Sequence, residues 1–425
     1  MKKTTKILTT EQSIEIITKE LRFKYDEDFI KKYVDYYYYI LFKIWDSTLE
    51  ADEDKNDGKV EISKFLFRNW INVQYKSKKL ADIIKYDLIS MGLVITDNYY
   101  YKTQTQTGSI KTKCIAYRLA DSFYNNKTLK IIEIKERKNI TKEFNILPQY
   151  SKHADSLKSL KINYSEALEF IDSNVLLGNY KIKSKNNKER FLDERISMDW
   201  ILSIFNIHCK YSFINKGKKS NRLFTNLTNL SAPLRKFCFF NAPISCCITD
   251  VVNSQPLLIN ALMKQQNIVD PDFLRDCENG IFYDQLSELI QADRETTKIR
   301  VYVCIMFGKH REDTKLMKAF KILYPIAYDF IKNIKSINDS EITCNDDEEY
   351  EINYTGDGNK CFAVMLQNIE ASIIMNIAAK LHKKGEHCLT IHDALFYEKH
   401  NQKFIEQETI KEFALYGITP KLKTT

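Results

Sequence analysis

Residues Leu389 to Glu398 read LTIHDALFYE, an apolar, strand-like run broken near its middle by a histidine and an aspartate. A carboxylate carried into an apolar run loses hydration worth several kcal/mol, so it needs a cation, a metal or a set of hydrogen-bond donors beside it. A second run has the same form. SCCITDVVNSQPLLINALM gives an apolar strand that reaches Asp250 and then runs into a helix-like stretch. Two strands that each deliver a carboxylate at a comparable point bring like charges together, and a pair of divalent ions between them is the usual resolution. Each residue also has a structural reading: Asp250 as cap of the helix that follows, Asp393 as a turn residue, His392 as a satisfied core histidine.

Other segments carry polar chemistry between and before these strands. ADRETTKIRVYVCIMFGKH places Arg294, Lys298 and Tyr302 four residues apart on one helical face, where cations can hold a triphosphate. The alternative is a solvated face paired with Asp293 and Glu295. NRLFTNLTNLSAPLRKF is rich in hydroxyl and amide side chains between Arg222 and Arg235, the residue types that contact phosphate and sugar. CFAVMLQNIEASIIMNIAAKLHKKG has apolar residues repeating at three and four and ends at Gly385, the pattern of a helix. It carries Gln367 and, among apolar neighbours, Glu370, which is either a buried hydrogen-bonding group near the site or a boundary residue. His208 and Cys209 lack partners at ligand spacing and are set aside as a metal site.

Taken in order, these segments resemble the palm and fingers of DNA polymerase I-like (family A) polymerases and the related phage-type single-subunit RNA polymerases. NRLFTNLTNLSAPLR resembles the family's GRL segment with its PNLQNIP and arginine, and ITDVVNSQPLLI resembles motif A, a strand-Asp-SQ-helix. RETTKIRVYVCIMFG resembles motif B, an RxxxK followed by an aromatic-Gly pair. LQNIEASII resembles the QG-containing helix, and IHDA resembles motif C, VHDE. The five segments keep the family's order over Asn221 to Glu398, less than half the chain. Asp250 lies four residues before Ser254, a longer spacing than the DYSQ of DNA polymerases and closer to that of the RNA enzymes. The Phe307-Gly308 pair comes one residue late after Lys298, which keeps Arg300 available for the same role, and Ala394 stands where DNA polymerases carry a glutamate. The amino-terminal region shows no recognisable proofreading nuclease.

The resemblance implies an α+β palm with a helical fingers insertion and template-directed nucleotidyl transfer with two magnesium or manganese ions. Asp250 and Asp393 would be the metal-binding catalytic residues, with His392 near the primer end. Arg294, Lys298 and Tyr302 would meet the incoming nucleoside triphosphate, and Arg222, Asn226, Arg235 and Gln367 the template and primer. The position in motif A that separates ribose from deoxyribose falls in the insertion before Ser254. A DNA polymerase or primase-polymerase and an RNA-synthesising polymerase or primase are therefore both open readings. A third is a non-catalytic replication initiator or regulator.

Upstream of these segments, a polar stretch from Glu50 to Lys59 follows a helical segment around Phe29 to Leu49. KSKKLADIIKYDLISMGLVITDNYYY then places Leu80, Ile83, Ile84, Leu88 and Met91 at helical spacing, with Gly92 as C-cap and a short strand after it. A polar loop from Lys102 to Thr112 leads to the strand KCIAYRLAD. Helix, strand, polar loop, strand is the pattern of a winged helix, which lays a helix in a DNA groove or serves protein contacts alone. Residues 121 to 200 read as helical and lysine-rich, with KIKSKNNKERF a solvated charge run. INDSEITCNDDEEYEINYTGDGNK reads as an exposed acidic insertion ending in a hairpin that turns at Thr355 to Gly358. Its carboxylates lack the ligand register of a calcium loop. The expected division is a helical start and winged-helix-like module over 1–120, a helical connector or thumb-like region over 121–215, and palm and fingers over 216–425.

Composition narrows the class. A hydrophobic content of 44% excludes a disordered chain, and the formal charge of +8 permits a polyanionic partner without requiring one. MKKTTKILTTEQSIEI lacks the apolar region of a secretory signal, and no run of about 18 apolar residues marks a membrane span. The ten cysteines are scattered without a CxxC, so the expectation is a reduced, cytoplasmic protein with no membrane partner. Its size and lack of an editing region fit a virus or mobile element that copies short tracts.

Overall fold

A computed structural model describes residues 4–48, 60–97, 101–104, 110–124, 128–135, 148–177, 181–183, 189–191, 194–217, 220–241, 245–307, 314–336 and 358–425. The chain groups into two compact units, one of Met1–Glu143 with Ile162–Tyr211 and one of Phe144–Lys161 with Ser212–Thr425. The polar stretch at Glu50 to Lys59 lies outside the described residues.

The first unit is built on the helix Glu27–Thr48, whose run YYYYILFKIW is buried on all sides from Tyr37 to Trp45. A helix apolar all round has no solvent face and must lie inside a core. The carboxylate of Asp87 is buried there and accepts from Tyr25 Oη (2.9 Å), Tyr37 Oη (2.5 Å) and Lys24, which supplies the compensation a buried charge needs. The helix Leu80–Ser90 carries Asp87 and ends as its spacing predicts. Gly92 takes φ +69°, its N–H donates to Ile89 O (3.0 Å), and Leu93 N–H donates to Leu88 O (3.1 Å). Val60–Glu61, Ala116–Leu119 and Val94–Thr96 form an antiparallel sheet with Ala116–Leu119 in the middle.

Two expectations for this unit are corrected. The segment Lys102 to Thr112 is not simply a loop, because Tyr101–Gln104 pairs antiparallel with Ile110–Lys113. Thr103, Ile110 and Thr112 are β-branched and alternate with polar residues, which favours an extended ladder even without a continuous apolar pattern. Residues 121 to 200 are not uniformly helical either. Leu129–Lys135 forms a strand against Thr4–Thr10, and the two ends of the lysine-rich run pair as Lys181–Lys183 with Glu189–Phe191. The β-branched run Ile131–Ile132 and the alternation of Ile132, Glu133, Ile134 and Lys135 specify a strand more strongly than the lysine content specifies a helix.

The second unit centres on a four-stranded antiparallel sheet of β1 (Cys246–Val252), β2 (Cys388–Ile391), β3 (Ala394–Glu398) and β4 (Lys421–Thr424), in the order β2-β3-β1-β4. In β1 the side chains of Cys247, Thr249 and Val251 are buried while Cys246, Ile248, Asp250 and Val252 are half-buried, the alternation of a strand with one core face. Helix α1 (Ser254–Gln265) follows β1, helix α2 (Arg294–Val301) comes later, and α3 (Gly358–Lys383) leads into β2. The segment Phe362–Lys383 is long and apolar enough to cross a bilayer, but Phe362, Leu366, Ile369, Ile373, Ile377 and Leu381 are taken up by the core with Val251, Leu395 and Tyr397. Gly358 is the first residue of α3 and so does not close a hairpin. The rest of the expected acidic insertion, with Thr355, Gly356 and Asp357, lies outside the described residues.

Candidate active site

The His-Asp pair is the tip of a two-residue hairpin. Ile391 and Ala394 are register partners at the ends of β2 and β3, leaving His392 and Asp393 as the connection. Tight two-residue turns that match strand twist need positive φ, and His392 supplies it at +56°. In the other direction Ala394 is the register partner of Asp250 on β1. The turn therefore sets Asp393 one residue from the position opposite Asp250. Strand alternation turns Asp250 away from the core side chains Cys247 and Val251. The cap of α1 is Asn253, in the left-handed region at φ +58°, so Asp250 is not the helix cap.

Burial, and then the neighbouring charge of Asp393, pushes the Asp250 carboxyl up to about 6. Lys298, the Val251 N–H and Lys423 pull it partly back. Glu370 is 0% exposed, and burial followed by Asp393 pushes it up to about 7. Opposing that shift, Arg222 pairs with its Oε2 and Ser254 Oγ donates to its Oε1 (2.7 Å). Burial and the positive charge of Arg222 and Arg235 hold His392 below the usual imidazole range, against the pull of Asp393. Tyr302 is pushed up to about 12 by burial, Asp393 and Glu370. Asp250, Glu370 and Asp393 thus share one electrostatic neighbourhood with Arg222, Lys298, Tyr302, His392 and Lys423. Within it, Arg222 Nε and His392 Nδ1 find no hydrogen-bond partner among the described residues.

Other expected residues are placed differently. Arg294 Nε lies 3.0 Å from Asp284 Oδ1, and its guanidinium sits 5.4 Å from the Tyr283 ring centroid. The expected common face of Arg294, Lys298 and Tyr302 is interrupted, because α2 ends at Val301 and a π-helical turn spans Tyr302–Phe307. A π turn takes up about one residue more than an α turn, so side chains after Val301 are rotated off the face that carries Arg294 and Lys298. The Phe307 side chain and Gly308 lie outside the described residues. Asn226 Oδ1 accepts from Phe213 N–H (2.8 Å), and Arg235 Nε donates to Leu230 O (3.0 Å). Both side chains, expected on template or primer, hydrogen-bond to backbone groups of their own unit. Gln367 is half-buried on α3, and its neighbour Asn368 accepts from Asn221 N–H (2.8 Å).

Sequence patterning does not reveal two members of the site. Lys423 is the register partner of Asp250 on the outer strand β4, a strand of four residues with no apolar signature. Ser254 reaches Glu370 from 116 positions away, so only its place in the SQ pair that follows β1 could have marked it.

No family model matches this chain, and no curated protein matches it. Among solved structures it is similar to the polymerase domain of Pol1 from M. smegmatis, in complex with DNA primer-template and dNTP. The TM-score is 0.45 at 10% identity, over 66% of this chain and 69% of that one. At those values the likeness transfers no residue's role.

Proposed function

We propose that this chain is a template-directed nucleotidyltransferase with a palm-like sheet and two divalent cations. The observation that carries the reading is the adjacency of Asp250 on β1 and Asp393 at the β2–β3 turn, close enough that Asp393 raises the Asp250 carboxyl. The order of the five sequence segments supports it. Two half-buried carboxylates offering hard oxygen donors suit magnesium or manganese, and Asp250 and Asp393 would hold the ions. When bound, such ions lower the pKa of a primer 3′-hydroxyl and offset charge on the leaving pyrophosphate. Lys298, whose charge reaches Asp250, would hold the incoming phosphates. Tyr302 stays protonated at neutral pH and would donate a hydrogen bond beside them. Arg222 and Ser254 fix Glu370, so the third carboxylate is held away from direct ligation. His392, mostly neutral at pH 7, would contact the primer end.

In the first unit the helix Leu80–Ser90 with its adjoining strands would form the winged-helix-like template contact. Tyr86 is 65% exposed on it, with Lys85 Nζ 4.6 Å from the ring centroid, a pairing of charge and π-face suited to nucleic acid. The test is primer extension across DNA and RNA templates with dNTPs or NTPs, in magnesium or manganese. Metal-dependent incorporation that Asp393→Asn abolishes is expected on at least one combination. If no combination supports incorporation, the initiator or regulator reading takes its place.

A further inference from the structure

We propose that Glu386, Glu398 and His400 form a second divalent-cation site, of the zinc class, at the end of the sheet away from the candidate active site. One ligand atom from each lies within 4.8 Å of the other two. The residues come from three elements. Glu386 follows α3 just past Gly385, Glu398 is the last residue of β3, and His400 lies in the single turn Lys399–Asn401 before the helix Gln402–Ala414.

A cluster of such residues is not in itself a site, and Glu398 supplies the independent observation. It is 5% exposed, its Oε1 finds no hydrogen-bond partner, and no ion pair reaches it among the described residues. A carboxylate that deep is expected to be paired or to bind a metal. Its neighbours Glu386 and His400 are already oriented, because His400 Nε2 lies 3.0 Å from Glu386 Oε2, and Asn401 Nδ2 donates to the same oxygen at 3.1 Å. Across the ladder from Glu398 stands Cys246, whose thiol is pushed up to about 12 by burial and then by Glu398. The ligand atoms that converge are those of Glu386, Glu398 and His400, so the donor set is two carboxylates and one imidazole.

That set neutralises a divalent ion and leaves a coordination position for water, and the imidazole favours zinc over calcium or magnesium. Donors on one zinc ion stand about 3.4 Å apart at bond lengths near 2.1 Å. Closing from within 4.8 Å asks for roughly an ångström of movement, and His400, half-exposed, is the residue able to make it. Glu398 lies five positions after Asp393, about 16 Å of extended strand, so this ion would be distinct from those at the hairpin tip. It would tie the exit of α3 to the end of β3.

The site does not depend on nucleotidyl transfer, and its test uses the full chain carrying Asp250→Asn and Asp393→Asn to remove the other carboxylate pair. After dialysis against EDTA, zinc sulfate is titrated by calorimetry and the Tm is measured with and without zinc. About one equivalent of zinc should bind and raise the Tm. Adding Glu398→Gln or His400→Ala should weaken binding at least tenfold and remove the Tm rise. In EDTA, Glu398→Gln should be no less stable than its parent, since it loses an unpaired buried charge, and the exposed His400→Ala guards against a folding defect. Absent saturable zinc binding, or affinity unchanged in both variants, overturns the proposal. Displacement of zinc by equimolar magnesium overturns its assignment to the zinc class.

Discussion

Asp250 and Glu370 are held by the fold against their own charge. Their carboxyls lie at about 6 and about 7, against 3.8 and 4.5 when unperturbed, so the folded state binds these protons more tightly than the unfolded state does. The stability they contribute is fully present below about pH 4 and is lost as pH rises through 6 to 7. In EDTA, the Tm should therefore carry a component that falls between pH 5 and 7.5, and magnesium should flatten it. Asp250→Asn should reduce that fall and lower metal-dependent incorporation by orders of magnitude. An aspartate kept for structure would behave in the opposite sense, losing stability at neutral pH on the same change. Lys298 acts on the same carboxylate. Lys298→Ala should raise the nucleotide KM or lower kcat about tenfold or more and move the acid limb of the pH–rate profile upward, because Asp250 loses a cation. Arg294→Ala, whose partner is Asp284, should do less. Were Arg300→Ala the damaging change and Lys298→Ala silent, the triphosphate contact would belong to Arg300.

The β2–β3 hairpin converts a turn preference into the separation of two carboxylates. Inserting one glycine between His392 and Asp393 lengthens the two-residue connection and can leave the Ile391–Ala394 pairing intact while re-aiming Asp393. Extension should fall at least about 100-fold with the circular dichroism unchanged, since misplacement of about 1 Å already costs that much. Equal extension by the insertion variant would mean that Asp393 does not act from the turn. At this scale much was legible in the sequence. The strand that reaches Asp250, the helix after it, the helix ending at Gly385 and the turn at His392 all follow from local periodicity and local residue chemistry. The ion pair of Arg222 with Glu370 and the pairing of Lys423 opposite Asp250 do not, because each joins segments more than 140 positions apart and neither partner carries a local signature. The π turn over Tyr302–Phe307 is a backbone choice that no side-chain pattern there announces.

If the chain holds nucleic acid as proposed, its excess of eight positive charges predicts binding that weakens steeply with salt. Truncation is a poor way to locate that binding. A cut at residue 120 separates Thr4–Thr10 from its ladder partner Leu129–Lys135, so lost binding would report a damaged fold. Point changes on the helix Leu80–Ser90 keep that ladder whole, and Tyr86 is 65% exposed, so circular dichroism of Lys85→Ala and Tyr86→Ala should match the parent. If that helix meets the template, Lys85→Ala should weaken binding by a similar factor across sequences and reduce the slope of log affinity against log salt by about one. Tyr86→Ala should weaken binding to single-stranded template without changing the slope, because stacking releases no counterions. Fluorescence anisotropy from low to moderate salt separates the two effects, and extension at saturating template should survive both changes. Affinity and slope that stay at parental values in both variants would remove the first unit from template binding and leave the second unit to hold the nucleic acid alone.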